Sequence, residues 1–184
     1  MRTQKSRGDL TGLPAALQKT LFEKNLFKEF LQLIRILFVC HGNICRSPMA
    51  EFIMKDLVRK AGVEERFFIA SAATSTEEIG NPVYPPARRK LAEHGIGCAG
   101  KTARQMTAAD YEQYDLLIGM DGANLRNMRR ICDGDPQGKI RLMMEFAHRQ
   151  DDVADPWYTG NFETTWQDLS AGCRGLLDSL LHGE

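Results

Sequence analysis

Hydrophobic positions along this chain switch repeatedly between two periods. Short apolar runs near Arg35–Cys40, Phe67–Ala70, Asp115–Met120 and Lys139–Leu142 read as strands. Between and after them, Ala50–Ala61, Pro86–His94, Gly122–Ile131 and Phe162–Leu181 carry apolar residues at the three- and four-residue spacing of helices. This alternation predicts an α/β domain with a parallel sheet and helices on both faces. In such sheets ligands bind beyond the carboxyl ends of the strands, beside a topological switch point. Cys40 lies at such an end.

Upstream the pattern changes. Met1–Gly12 is polar and reads as disordered. From Pro14 onward, Leu17, Leu21, Phe22, Leu26, Phe27, Phe30, Leu31 and Ile34 recur at helical spacing, with Lys19, Glu23, Lys24, Lys28 and Glu29 mostly between them. Residues 1–33 are therefore expected to be an N-terminal extension with an amphipathic helix, and 34–184 one domain. The helix could pack on that domain, dock to a partner or membrane surface, or contact a second copy; the pattern leaves all three open. It is too charged for a secretory signal.

A chain of 184 residues, 43% of them hydrophobic, suits one well-packed domain. Twenty-four basic residues balance twenty-four acidic ones, so no overall field favours nucleic acid or an anionic membrane. The five cysteines form no CxxC pair and no Cys/His zinc spacing, which argues for free thiols in a reducing cytoplasm and against a metal. No apolar run approaches the ~20 residues of a membrane span, and the chain reads as soluble. Neither a Walker loop nor a G-x-G-x-x-G fingerprint is present.

Chemistry concentrates in Ile36–Pro48, where a buried-strand pattern ends in Cys40 and Arg46 follows. Cys-x-x-x-x-x-Arg spacing alone is weak evidence. Its context is stronger: Gly42 and Asn43 tolerate the positive φ of a tight loop, and Ser47-Pro48 reads as an N-cap with proline at the first helical position. Strand, loop amides and helix N-terminus together make an anion cradle that would also stabilise a thiolate at Cys40 and depress its pKa. Arg46 offers a planar cationic fork for two phosphate oxygens. Ser47 could cap the helix, donate to the Cys40 sulfur, or both. Cys45 could trap an oxidised Cys40 as a reversible disulfide, or simply pack the loop.

These residues resemble a known family. Cys40-x-Gly42-Asn43-x-Cys45-Arg46-Ser47-Pro48 is similar to the active-site signature of the low-molecular-weight protein tyrosine phosphatases, and Asp155-Pro156-Trp157-Tyr158 is similar to their general-acid motif. Ser71–Ser75, His94-Gly95-Ile96 and Met120-Asp121 fall in the family's order. The resemblance covers about residues 34 to 184. It implies a Rossmann-like domain with a four-stranded parallel sheet, and a cofactor- and metal-independent hydrolase of tyrosine-phosphorylated proteins that binds phosphate or other oxyanions.

The resemblance further implies Cys40 as nucleophile, Arg46 as phosphate ligand and Asp155 as general acid, then base, within a loop that includes His41, Gly42, Asn43, Ile44, Cys45 and Ser47. Asp151 and Asp152 could raise the pKa of Asp155 by like-charge repulsion, or simply form a solvated loop face. Asn43, Ser71 and His94 match positions that hold the family's loop in its left-handed turn, although His94 ahead of Gly95 also reads as a helix C-terminal histidine. Trp157 and Tyr158 are expected to wall the pocket for an aryl group. The chain departs from the family at Glu77, where an aromatic rim residue is common, and at His41, where an apolar one is; Glu77 should disfavour acidic substrates.

Two relatives of the resembling family share the loop. Arginine phosphatases place threonine at the position of Ile44, so Ile44 favours tyrosine phosphate. Arsenate reductases need a close downstream cysteine pair, which Cys98 and Cys132 do not supply. A non-catalytic phosphotyrosine-binding module would be expected to lose the nucleophile or the acid, and both are present.

Overall fold

The computed structural model describes residues 33–183. The amphipathic segment expected upstream lies outside them, and Ile34, the last of its apolar positions, opens the first strand instead.

Four parallel strands form one sheet in the order β2-β1-β3-β4: β1 (Ile34–Cys40), β2 (Phe67–Ala73), β3 (Leu116–Gly119) and β4 (Ile140–Leu142). The six α-helices among the described residues are α1 (Arg46–Lys60), α2 (Pro85–Glu93), α3 (Ala108–Gln113), α4 (Gly122–Ile131), the single turn α5 (Pro156–Thr159) and the long α6 (Phe162–His182). The chain leaves β1 for β2 on one side and later places β3 on the other. The switch point is therefore the carboxyl end of β1, where Cys40 sits.

The unbroken apolar run of β1 has a direct cause. Ile36 and Phe38 enter a core with Met49, Ile53, Leu169 and Leu176, whereas Leu37 and Val39 enter a second core with Tyr111, Leu117 and Met128. Both faces are covered, so alternation is lost. All four β1 side chains are fully buried, each worth about 1.5–3 kcal/mol relative to exposure. This anchors the strand that presents Cys40.

β2 continues three residues beyond the expected Ala70, in register with β1 up to Ala73 opposite Cys40. Ser71, Ala72 and Ala73 have modest strand propensity; pairing and burial override it. α3 was not expected from hydrophobic periodicity. Its signal is a capping box, in which Thr107 and Asp110 satisfy each other's backbone N–H groups. At the other end, α6 lies so close to residues 143–147 that a Cβ on Gly175 would be 1.8 Å from the Phe146 carbonyl oxygen.

Candidate active site

Cys40 ends β1, and the loop that follows turns through Asn43 at φ +57°. Asparagine tolerates this left-handed conformation better than most residues. Its side chain is fully committed to holding it: Nδ2 donates to Ser47 Oγ at 2.9 Å and Ser71 Oγ at 2.8 Å, and Oδ1 accepts from the Arg104 N–H at 3.2 Å. Gly42, by contrast, does not take a positive φ. Its lack of a side chain provides room, since a Cβ there would lie 3.1 Å from Glu78 Cγ.

Helix α1 begins two residues earlier than expected, at Arg46, with Cys45 at the N-cap and no side-chain cap bond. Ser47 is thus inside the first turn and not its cap. Its buried hydroxyl lies 3.0 Å from Cys40 Sγ, and the Asn43 backbone N–H donates to the same sulfur at 3.3 Å. A helix N-terminus without a side-chain cap leaves amide hydrogens for an anion. Sulfur, hydroxyl, amide and helix end converge as the sequence requires of an anion cradle.

Arg46 is 4% exposed and held between two carboxylates. Its Nη1 lies 2.7 Å from Asp121 Oδ2, and its Nη2 lies 2.5 Å from Asp155 Oδ2. Burial opposes its charge, but Cys40, Asp155 and Asp121 outweigh that cost and raise its pKa further. Asp121 divides its work, because its other oxygen caps α4 by accepting from Asn124 N at 2.6 Å. The position of Met120-Asp121 after β3 therefore links the sheet, a helix cap and the arginine.

Asp155 caps α5, accepting from Trp157 N at 3.0 Å through Oδ1. Pro156 occupies the first helical position, where its missing N–H costs nothing. Asp151 is paired with Arg149, and Asp152 accepts from Gly122 N at 3.1 Å. Both carboxylates therefore serve to fix the loop.

A cavity of about 170 Å³ opens over Cys40 and Arg46 and reaches Asp155. Ile44 and Cys45 line its inner part, and His41, Glu77, Glu78, Trp157 and Tyr158 its outer part. Trp157 and Tyr158 both border the cavity, and Trp157 is tilted against Tyr84 at 5.5 Å between centroids. At the rim, His41 Nε2 lies 3.1 Å from Glu77 Oε2 with both side chains largely exposed. At Cys45, burial, followed by the charges of Cys40 and Asp155, pushes the thiol up to about 12. It stays protonated at neutral pH.

His94 is not where the resemblance placed it. It follows α2, is exposed, and stacks flat on Trp166 of α6 at 3.7 Å. The loop's hydrogen bonds run instead through Ser71 to Glu51 on α1, at 2.5 Å, with Lys101 Nζ on the Ser71 carbonyl at 3.0 Å. Glu51 is 4% exposed, and it also pairs with Lys55 at 2.5 Å. Sequence reasoning missed Glu51 and Lys101. The sequence signal was a glutamate on the helix face that also carries Ser47, Met54 and Val58, all buried.

A doubly wound parallel sheet with a cysteine–arginine loop at its switch point defines an oxyanion-binding α/β domain. The family model for low molecular weight phosphotyrosine protein phosphatases matches residues 35–183. The low molecular weight protein-tyrosine-phosphatase YfkJ of Bacillus subtilis is 39% identical over 150 residues, which are 80% of this chain and 96% of the relative. The human low molecular weight phosphotyrosine protein phosphatase is 37% identical over 148 residues, covering 78% and 93%. The crystal structure of YfkJ superposes with a TM-score of 0.78 over 82% of this chain and 96% of that one. This chain belongs to the low molecular weight phosphotyrosine protein phosphatase family. No helix among the described residues is long and apolar enough to cross a membrane.

Proposed function

We propose that this protein hydrolyses phosphotyrosine in proteins through a phosphocysteine intermediate. The observation that carries the reading is the convergence on Cys40 Sγ of the Ser47 hydroxyl and the Asn43 amide, with Arg46 and Asp155 in the same cavity. Donors aimed at the sulfur favour a thiolate, the reactive form. Cys40 Sγ attacks phosphorus while the bond from phosphorus to the phenolic oxygen breaks. Arg46 and the amides at the start of α1 hold the equatorial oxygens as charge spreads over them. Asp155 gives its proton to the departing phenolate oxygen.

In the second half, water attacks the phosphoryl group, the P–S bond breaks, and Asp155 takes the water's proton. The Ser47 hydroxyl donates to the leaving sulfur, 3.0 Å away. Positive charge from Arg46 and the helix end fills the role that a cation plays in many phosphatases, so the reaction needs no metal. Residues 34–184 are the catalytic domain and residues 1–33 an extension to it, which the family match at 35–183 supports. The unpaired thiols support a cytoplasmic setting.

The buried Ile44 side chain in the cavity favours a flat aryl group over the polar guanidinium of phosphoarginine. The test is hydrolysis of para-nitrophenyl phosphate and phosphoarginine in parallel, with chelator, by wild type, Cys40→Ser and Asp155→Asn. The proposal requires chelator-resistant aryl phosphatase activity that Cys40→Ser abolishes and Asp155→Asn strongly lowers. A preference for phosphoarginine would move the enzyme to the arginine phosphatases, and phosphate binding with no turnover would make it a binding module.

A further inference from the structure

Ala154 precedes the proposed general acid, and helix α6 grips both polar groups of its backbone. Its N–H donates to Asp168 Oδ2 at 3.2 Å, and its carbonyl accepts from Thr165 Oγ1 at 2.8 Å. Thr165 is fully buried and Asp168 is 6% exposed. Both continue the face of α6 that otherwise buries Leu169, Cys173 and Leu176, where apolar side chains would be expected. A buried carboxylate is costly unless paired and hydrogen-bonded. Asp168 meets that condition, since its second oxygen accepts from Arg149 Nη1 at 2.8 Å.

Two further bonds complete the clamp. Val153 N donates to the Met120 carbonyl at 2.8 Å, and Asp152 holds the Gly122 N–H. The chain is thus pinned to β3, α4 and α6 immediately before Asp155, whose own carboxyl caps α5. Neither Thr165 nor Asp168 lines the cavity.

We propose that Thr165 and Asp168 are positioning residues for proton transfer by Asp155, acting through the Ala154 peptide. A carboxyl that must meet a leaving oxygen within hydrogen-bond reach loses efficiency when displaced by a fraction of an ångström. The inference rests on Asp155 being the general acid. It predicts a defect that depends on the leaving group, which loss of general stability does not produce.

The experiment compares kcat/KM for phenyl phosphate, whose leaving group needs a proton, with that for 2,4-dinitrophenyl phosphate, whose leaving group does not. Wild type, Thr165→Val, Thr165→Ser, Asp168→Asn and Asp155→Asn are measured, with thermal unfolding of each. Thr165→Val and Asp168→Asn should lose about tenfold or more on phenyl phosphate and less than about twofold on the dinitrophenyl ester, and Thr165→Ser should restore the wild-type ratio. The isosteric Thr165→Val carries the test if Asp168→Asn does not fold. Equal losses on both substrates, or none on either, overturn the positioning role. If Asp155→Asn itself leaves the ratio unchanged, the general-acid reading fails instead.

Discussion

Arg46 and Asp155 are bonded to each other, with Nη2 2.5 Å from Oδ2 in a largely buried setting. The proposed phosphate ligand and the proposed proton donor are therefore ion-pair partners. An entering dianion must compete with Asp155 for Arg46.

Removing that competition should separate binding from turnover. Asp155→Asn is expected to bind inorganic phosphate about three- to tenfold more tightly, because one carboxylate charge beside the anion disappears. Its kcat should fall by about 10²–10⁴, the usual contribution of a positioned general acid or base. Competitive inhibition by phosphate, measured beside steady-state turnover, checks both. Weaker phosphate binding in the variant would count against the competition.

Two cysteines five residues apart in the same pocket should differ sharply in reactivity. Cys45, pushed up to about 12 by burial and by neighbouring negative charge, carries a thiolate fraction on the order of 10⁻⁵ at pH 7. Because its folded value exceeds that of a free thiol, near 8.5, protonation stays complete in the folded protein as pH rises through 8. Iodoacetamide between pH 6 and 8 should label Cys40 and spare Cys45, as read by peptide mass spectrometry. Phosphate should protect Cys40. Equal labelling of the two would show that the protonated environment of Cys45 is wrong.

Glycine at 175 reverses the usual helix preference. Alanine normally gains about 1 kcal/mol over glycine inside a helix. Here the new Cβ would meet the Phe146 carbonyl oxygen at 1.8 Å, and overpacking against rigid backbone costs about 1–3 kcal/mol or more. The clash wins. A net loss of about 1–2 kcal/mol in Gly175→Ala should lower Tm by roughly 2–8 °C for a chain of this size, measured by thermal unfolding. A raised Tm would mean that α6 can move away from residues 143–147 at little cost.

The rim carries negative charge where the pocket opens. Glu77 and Glu78 both border it, and His41 meets Glu77 only through an exposed contact. Glu77→Gln should raise kcat/KM about two- to fivefold for phosphotyrosine peptides with acidic flanks, in line with the modest strength of exposed charge interactions. The gain should shrink at high salt, and para-nitrophenyl phosphate should show none. Identical kinetics with acidic and basic peptides in both proteins would remove Glu77 from substrate choice.

Sequence reasoning succeeded where chemistry was local. The β1 run, the Asn43 turn and the Cys40–Arg46 spacing lie within thirteen residues, and each local preference agrees with the fold around it. It placed the start of α1 two residues late, because a serine beside a proline signals a cap equally well when its hydroxyl lies against a neighbouring sulfur. His94 misled for a related reason: a histidine ending a helix is stable there, and its ring found Trp166 on α6. Glu51, Lys101, Thr165 and Asp168 were illegible because their roles arise only when the sheet brings α1, β2 and α6 around one loop. α3 and α5 span six and four residues, too short for periodicity to register.

The central claim is that phosphorus passes through the sulfur of Cys40. The most direct measurement is rapid acid quench of the enzyme with excess para-nitrophenyl phosphate, followed by mass spectrometry of the peptide containing residues 40–46. The account predicts a phosphoryl group on Cys40 in wild type, greater accumulation in any variant that slows the water step more than the first, and none in Cys40→Ser. Turnover surviving in Cys40→Ser, or a phosphoryl group found on His41 or another residue, would contradict it.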